Sequence, residues 1–275
     1  MLRGNTCADI VVSLRTLPAI EHVTLLAQKI CSELNAQGEV VAHVTTEVGC
    51  LLTSKGQSIR LLITTESNAS ALEKDLHLGF EVIAANRAAV LHANFFIDHC
   101  RSSSIRLTSS QMLVRVLKDL RRRFPKLKPI NIWATEALAF YCLTMTMDGE
   151  QLTLGPAFRR FLALLSSGVF IPGSSGLADP IDNRYRLCDR LSFEDMDSAC
   201  LTAQFLLRIL CHGGYEKVLG LNGEADEMLV KHVNLSGVTI SPLASAYDKS
   251  LFPEEEEKME EAAAPAPAPT AVAAK

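Results

Sequence analysis

The chain has 275 residues, 48% of them hydrophobic, with a net charge of −4 and a mean hydropathy of +0.17. That is apolar material for one large domain or two modest lobes. It excludes a protein whose overall field is basic, because the stretch from Glu254 onward, with six acids and two lysines, carries the whole imbalance and leaves residues 1–253 neutral.

Eight cysteines without short regular spacing point to reduced thiols in apolar segments rather than disulfides or metal. No apolar run is long and unbroken enough for a secretion signal or a membrane span.

In chain order, residues 8–14 are β-branched and predict a strand buried on both faces. AIEHVTLLAQKICSEL places Ile20, Val23, Ala27, Ile30 and Leu34 on one helical stripe that ends near Gly38. EVVAHVTTEVGCLLTS and QSIRLLITT predict two β runs joined by a hairpin turn at Lys55-Gly56. From about Ser70 the period becomes helical. LHLGFEVIAANRAAVLHANFFIDHC reads as one long helix, and SSQMLVRVLKDLRRRF as a helix that buries Met112, Val116, Leu120 and Phe124 before stopping at Pro125.

WATEALAFYCLTM and PAFRRFLALLSSG predict two more helices, the second with Pro156 near its start and Gly168 at its end. SFEDMDSACLTAQFLLRILCHGG predicts another, with Ser192 as N-cap, acids in its first turn and a stop at Gly213-Gly214. The acidic and Ala/Pro tail has too few large apolar residues to repay its ordering entropy and is expected to be disordered. The organisation expected is a small α/β lobe over 1–69, a mainly helical lobe over 70–247 and a disordered tail over 248–275.

The chemistry-bearing candidates begin with Asp9. Two-metal phosphoryl transfer needs two or three converging carboxylates, and alternate residues of a strand supply them because they point to one face. The same-face neighbour of Asp9 is Val11, which binds no metal, so alone Asp9 reads as a hydrogen-bonding acid of the strand. KDLRRRFPKLK holds six bases and one acid. Arg115, Lys118 and Arg122 share a helix face, and Arg121, Arg123, Lys126 and Lys128 extend a patch suited to the phosphates of a nucleotide or a nucleic-acid backbone.

The other reading of that patch is a solvated basic face, and aromatics for single-strand stacking are sparse. PGSSGLADP lacks the lysine and Ser/Thr ending of a phosphate loop. The adjacent Cys and His residues at 99–100 and 211–212 lack partners at zinc-like spacing. His212 is better placed as a helix C-terminal residue.

The segments ADIVVSLRTLP, IRLLITT, LHLGFEVIAANRAAVLHANFF, VLKDLRRRFP, GVFIPGSSGLADP and TAQFLLRILCHGGYEKVLG, in this order from about Gly4 to Tyr247, resemble the domain associated with zinc fingers, DZF. That family resembles template-independent nucleotidyltransferases such as the oligoadenylate synthetases. The resemblance implies an α+β, bilobal nucleotidyltransferase-like fold with a small mixed N-lobe truncated at its start and an all-helical C-lobe. The truncation is expected because the family's upstream Gly-Ser phosphate-binding segment is not in this sequence.

On that pattern ADIVV looks like the metal-binding strand with Val11 in place of its second carboxylate, and Arg60 stands where the third would be. VLKDL resembles the helix whose lysine contacts the triphosphate. Lys118, Arg122 and Asp9 are therefore the phosphate candidates. Glu136 lies in register on the following helix, and Asp179-Pro180 resembles a D-P turn.

The function this implies is non-catalytic: a dimerisation subunit of a nuclear, partly cytoplasmic, complex with a larger DZF protein carrying double-stranded-RNA-binding domains. RNA and DNA would be met mainly through the complex, in transcription and RNA metabolism. No metal and no resident cofactor are expected, and at most a nucleotide such as ATP or UTP held without turnover. The helix 193–212 and the segment 213–220 are the expected dimer surface, through Phe205, Leu206, Ile209 and Tyr215, whose other reading is ordinary core. The alternative function is an active nucleotidyltransferase that joins Asp9 to acids such as Glu47 or Glu66.

Overall fold

The computed structural model describes residues 4–67, 72–73, 76–101, 104–146, 149–221, 231–244 and 246. The chain divides into two compact units, the first built from Met1–Arg122, Asn131–Phe161 and Ala178–Arg186, the second from Arg123–Ile130, Leu162–Leu177 and Leu187–Lys275. The expected tail disorder concerns residues outside those described.

The first unit is organised by a four-stranded sheet in the order β1 (Cys7–Leu14), β4 (Gln57–Thr65), β3 (Gly49–Ser54), β2 (Ala42–Thr46). β1 runs parallel to β4, and the other pairs are antiparallel. The β3–β4 turn sits at Lys55-Gly56, as expected: both residues have positive φ, 49° and 77°, which matches the twist of a two-residue hairpin. The β run expected over 39–54 folds on itself into two strands, β2 and β3. Gly49 makes this possible. Its φ is 150°, and a side-chain carbon there would stand 1.9 Å from the Leu61 carbonyl oxygen.

β1 corrects an expectation. It is an edge strand with one neighbour and is not buried on both faces; Ile10 is 48% exposed. The core lies against the face that carries Val12, Leu14, Leu61, Ile63, Cys50 and Leu52. It is filled by Val23, Ala27 and Cys31 from α1 (Ile20–Ala36) and by Leu78 and Ile83. The α1 stripe is thus nearly the one the period predicts, with Ile20 left exposed. α2 (Phe80–Arg101) is fastened to the sheet by polar bonds: Thr64 Oγ1 donates to the Ile83 carbonyl (2.9 Å), and buried Asn86 donates through Nδ2 to the carbonyls of Ile63 (2.8 Å) and Val48 (3.1 Å). The Ile63 carbonyl lies past the last β3–β4 pair, and the Val48 carbonyl also accepts from the Ile63 N–H (3.4 Å), so Asn86 completes the pairing where the ladder ends.

α3 (Ser104–Arg123) buries Leu113, Val114, Leu117 and Leu120, whereas Met112 is 46% exposed and Val116 half-buried, so the first half of the predicted stripe is displaced by one residue while Leu120 and Phe124 are buried as expected. It stops as expected before Pro125, with Phe124 extended and fully buried, and a 3-10 turn follows over Pro125–Leu127. α4 (Ile132–Thr144) is capped by the Asn131 side chain accepting from the Ala134 N–H, and is buried on most of its circumference. There burial lifts the Cys142 thiol to about 12, so it stays protonated.

In the second unit, α6 (Phe193–Cys211) begins with the predicted Ser192 cap, completed by Asp195 into a reciprocal capping box, and ends at His212 before Gly213 (φ 82°). Cys200 and Gln204 donate to the Ser166 carbonyl at the end of α5 (Leu154–Ser166). α7 (Tyr215–Leu219) comes next. The expectation of purely helical structure is amended by a small hairpin, β5 (Val233–Leu235) and β6 (Val238–Ile240), turned at Ser236-Gly237 with positive φ at both. No helix among the described residues is long and apolar enough to cross a membrane.

Gly49→Ala should destabilise the chain by about 2 kcal/mol or more, because backbone must move to admit the methyl group. Urea denaturation followed by circular dichroism will read this as a lower midpoint, and an unchanged midpoint would show that the β2–β3 turn relaxes freely.

Candidate functional site

In the parallel register of β1 on β4, Asp9 lies opposite Arg60 and Val11 opposite Leu62. Paired residues of neighbouring strands share a face, and the guanidinium closes on the carboxylate with both arms: Nε to Oδ1 and Nη2 to Oδ2, each 2.7 Å. The pair is about half-exposed, which makes it worth roughly 0–1 kcal/mol of stability. Its meaning is chemical rather than energetic. The hydrogen bond to Asp9 raises the Arg60 pKa above its ordinary value, so the cation is permanent, and both oxygens a metal would use are already engaged.

The two further acids of the catalytic alternative are not gathered here. Glu66 follows the end of β4, six residues beyond Arg60 and about 20 Å away at strand rise, and Glu47 lies in the β2–β3 turn. Among the described residues no group of three or more His, Cys, Asp or Glu is arranged to hold a metal. The residues present do not fit a two-metal centre: one carboxylate is bonded to a guanidinium, its same-face strand neighbour is a valine, and the residue facing it on β4 is a cation.

Lys118 on α3 and Glu136 on α4 meet at 2.7 Å, both partly buried (30% and 21% exposed). The candidate phosphate contact is thus an internal ion pair joining the two helices. Arg122 is turned along its own helix to Asp119 (2.9 Å), and Arg115 is exposed. Arg121 is half-buried, and desolvation lowers its pKa. In the second unit Lys126 and Lys128 are exposed. Arg123, by contrast, turns inward, donating from Nη1 to the Val218 carbonyl at the end of α7 (2.9 Å). Of the residues expected at a dimer surface, Phe205 (4% exposed), Leu206 and Ile209 (0%) are buried by the chain itself; Tyr215 alone of the four is exposed.

Asp179 does more than the sequence indicated. Its Oδ2 accepts from Trp133 Nε1 (2.7 Å) and its Oδ1 from the Ile181 N–H (2.8 Å), so it ties the 178–186 loop to α4. Tyr141 donates to the Ala178 carbonyl, and burial, followed by the Asp179 charge, raises its pKa. Trp133 also stacks on His92 at 4.0 Å between ring centres. Residues 41 and 46 positions apart carry no local signal of such a cluster.

The model of the DZF N-terminal domain matches residues 1–101, and that of the DZF C-terminal domain matches residues 109–241. The chain belongs to the DZF family. Among solved structures this DZF chain is similar to one described as "Structure of E. coli MS115-1 CdnC:HORMA-deltaN complex". The identity is 11%, over 83% of this chain and 77% of that one, with a TM-score of 0.52. At that identity the likeness concerns the fold alone, which is nucleotidyltransferase-like: a mixed sheet followed in the chain by helices. The join between the two DZF domains falls where α2 gives way to α3.

If Lys118 and Glu136 are mutually dependent, Lys118→Met and Glu136→Gln should each destabilise the protein by more than expected from the double variant, with a coupling of about 1 kcal/mol. A double-mutant cycle by chemical denaturation measures it; strict additivity would mean the bond contributes nothing.

Proposed function

We propose that this DZF chain is a non-catalytic, pseudo-nucleotidyltransferase subunit that works by pairing with a larger DZF protein carrying double-stranded-RNA-binding domains. The observation that carries the reading is the two-armed bond from Arg60 to Asp9 beside Val11. An enzyme that moves phosphoryl groups must hold metal ions against attacking and leaving oxygens. Here the single carboxylate of the strand is neutralised by a side chain, and a divalent ion would have to displace a guanidinium and then sit beside it. The remnant of the site is a structural element of the sheet.

The resemblance of the quoted segments extends to one member of the family, interleukin enhancer-binding factor 2, also called nuclear factor 45. It supports a nuclear heterodimer active in transcription regulation and RNA metabolism. The neutral body agrees with a protein that meets RNA through its complex rather than through its own field. With Phe205, Leu206 and Ile209 committed to the interior, the partner surface of the second unit draws on exposed apolar groups such as Tyr215, Leu221 and Phe193, which are 52–66% exposed.

Co-expression with a DZF partner, followed by size-exclusion chromatography with light scattering, should give a stable one-to-one complex, and Tyr215→Asp should weaken it at least about tenfold if that side chain is an anchor. A monomer indifferent to the partner removes the proposal. The degenerate strand has its own test. The unmodified chain should show no Mn²⁺ binding by calorimetry, whereas Val11→Asp combined with Arg60→Asp should gain it, because three carboxylates then face one side of adjacent strands. Mn²⁺-dependent nucleotide incorporation by the unmodified chain would refute the pseudoenzyme reading.

A further inference from the structure

Among the described residues, β1 bonds to β4 and to no other strand. Contacts at its two ends show which of its backbone groups are used: the Ser58 N–H donates to the Thr6 carbonyl (2.7 Å) and the Glu66 N–H to the Leu14 carbonyl (3.2 Å). In a parallel pair the bonds are evenly spaced, so every second residue directs its N–H and C=O at the neighbour. The even-numbered residues therefore face β4, and the backbone groups of Cys7, Asp9, Val11 and Ser13 point away from the sheet. Such a row is a template for a further strand. The usual devices that blunt it are missing: Cys7–Leu14 holds no proline, glycine or lysine, and its one charge, Asp9, is drawn onto Arg60.

The sheet face beside this edge is also incompletely covered. α1 packs mainly on β2 and β3, so on the core side of the first strands Ile10 is 48% and Ile59 37% exposed. A cleft of about 280 Å³ opens there, lined by Leu14, Thr16, His22, Val23, Leu26 and Ile63. Free backbone groups call for an extended segment, and the open apolar side calls for apolar residues at alternate positions of that segment. β1 is itself such a segment, with Ala8, Ile10, Val12 and Leu14 on the core side.

We propose that the occupant of this edge is β1 of a second copy of the chain, laid antiparallel about a two-fold axis at Val11. In that register Ile10 of one copy faces Val12 of the other, Asp9 faces Ser13, and Ala8 faces Leu14. Exposed Arg15 then stands diagonally from Asp9 of the other copy, within reach of a long side chain. Competing registers are poorer. An axis at Ile10 sets the two Asp9 side chains diagonal to each other, and an axis at Asp9 sets them directly opposite. An axis at Val12 shortens the overlap. Each chain has one such edge, so the assembly closes at two copies. The strand pair buries less than about 1,200 Å², which makes it a weak contact with a Kd between about 1 µM and 1 mM. It draws on the first unit only, and so applies equally to the free chain and to a complex formed through the second unit.

Light scattering on the full chain, alone or in its complex, should show the mass rising from one copy of this chain per particle toward two between about 1 µM and 1 mM, and stopping there. Over the same range, hydrogen exchange should slow at the N–H groups of Asp9, Val11 and Ser13 more than at those of Ile10 and Val12, which β4 already holds. Ser13→Pro removes an N–H that β4 does not use, so it should leave the circular dichroism intact and weaken the association at least about tenfold. Arg15→Glu, at an exposed side chain, should weaken it about fivefold at about 0.1 M salt and less at about 1 M. A constant mass, a doubling that neither substitution weakens, or protection of the three amides in particles holding one copy would each overturn the proposal.

Discussion

The parallel seating of β1 on β4 is the constraint on which the sheet and its chemistry both depend. It places the alternate residues Val12 and Leu14 over the core with Leu61 and Ile63, and by the same alternation it places Asp9 and Arg60 together on the other side. A shift of one residue would reverse both outcomes at once, burying a carboxylate and exposing the valine. The ion pair is therefore a consequence of a register that hydrophobic packing enforces, even though the pair itself adds little stability. That division separates two roles within one strand: the core side is fixed by burial, while the polar pair on the other side contributes little to holding the fold.

The same pattern recurs at the helical side of the first unit. Lys118 and Glu136 satisfy one another between α3 and α4, and Asp179 is occupied with an indole N–H and a turn amide. Polar side chains of both helices and of the 178–186 loop are here engaged in internal bonds. A partly buried ion pair is retained because removing either member leaves a charge without a partner, which is more costly than the pair is favourable.

Legibility in the sequence follows the range of the forces involved. Local rules were sufficient for the Lys55-Gly56 turn, the Ser192 cap, the stop at Pro125 and the α1 stripe, since each is decided within a few residues. They failed where several answers were locally equal. In QMLVRVLKDL both Met112–Val116 and Leu113–Leu117 form apolar stripes, and only packing selects the second. The same limit applies to Phe205, Leu206 and Ile209: a helix period says that a face is covered, not whether its own chain or a partner covers it. Arg123 reads as part of a basic run, yet it serves a carbonyl 95 residues away. At the site, the pairing of a valine with Asp9 on one strand face was visible in the sequence, but the closure of Arg60 on Asp9 required the register.

The edge position of β1 has a consequence for the order in which the molecule assembles. The β3–β4 and β2–β3 hairpins each close over two residues, so these three strands can form at little entropic cost. β1 reaches β4 only after a loop of about 50 residues closes, with α1 carried inside it. It has one neighbour to hold it once there, so it joins late and opens early. Amide protons of β1 should accordingly be among the first in the sheet to exchange, and the Asp9–Arg60 bond marks the last join of the sheet rather than its nucleus.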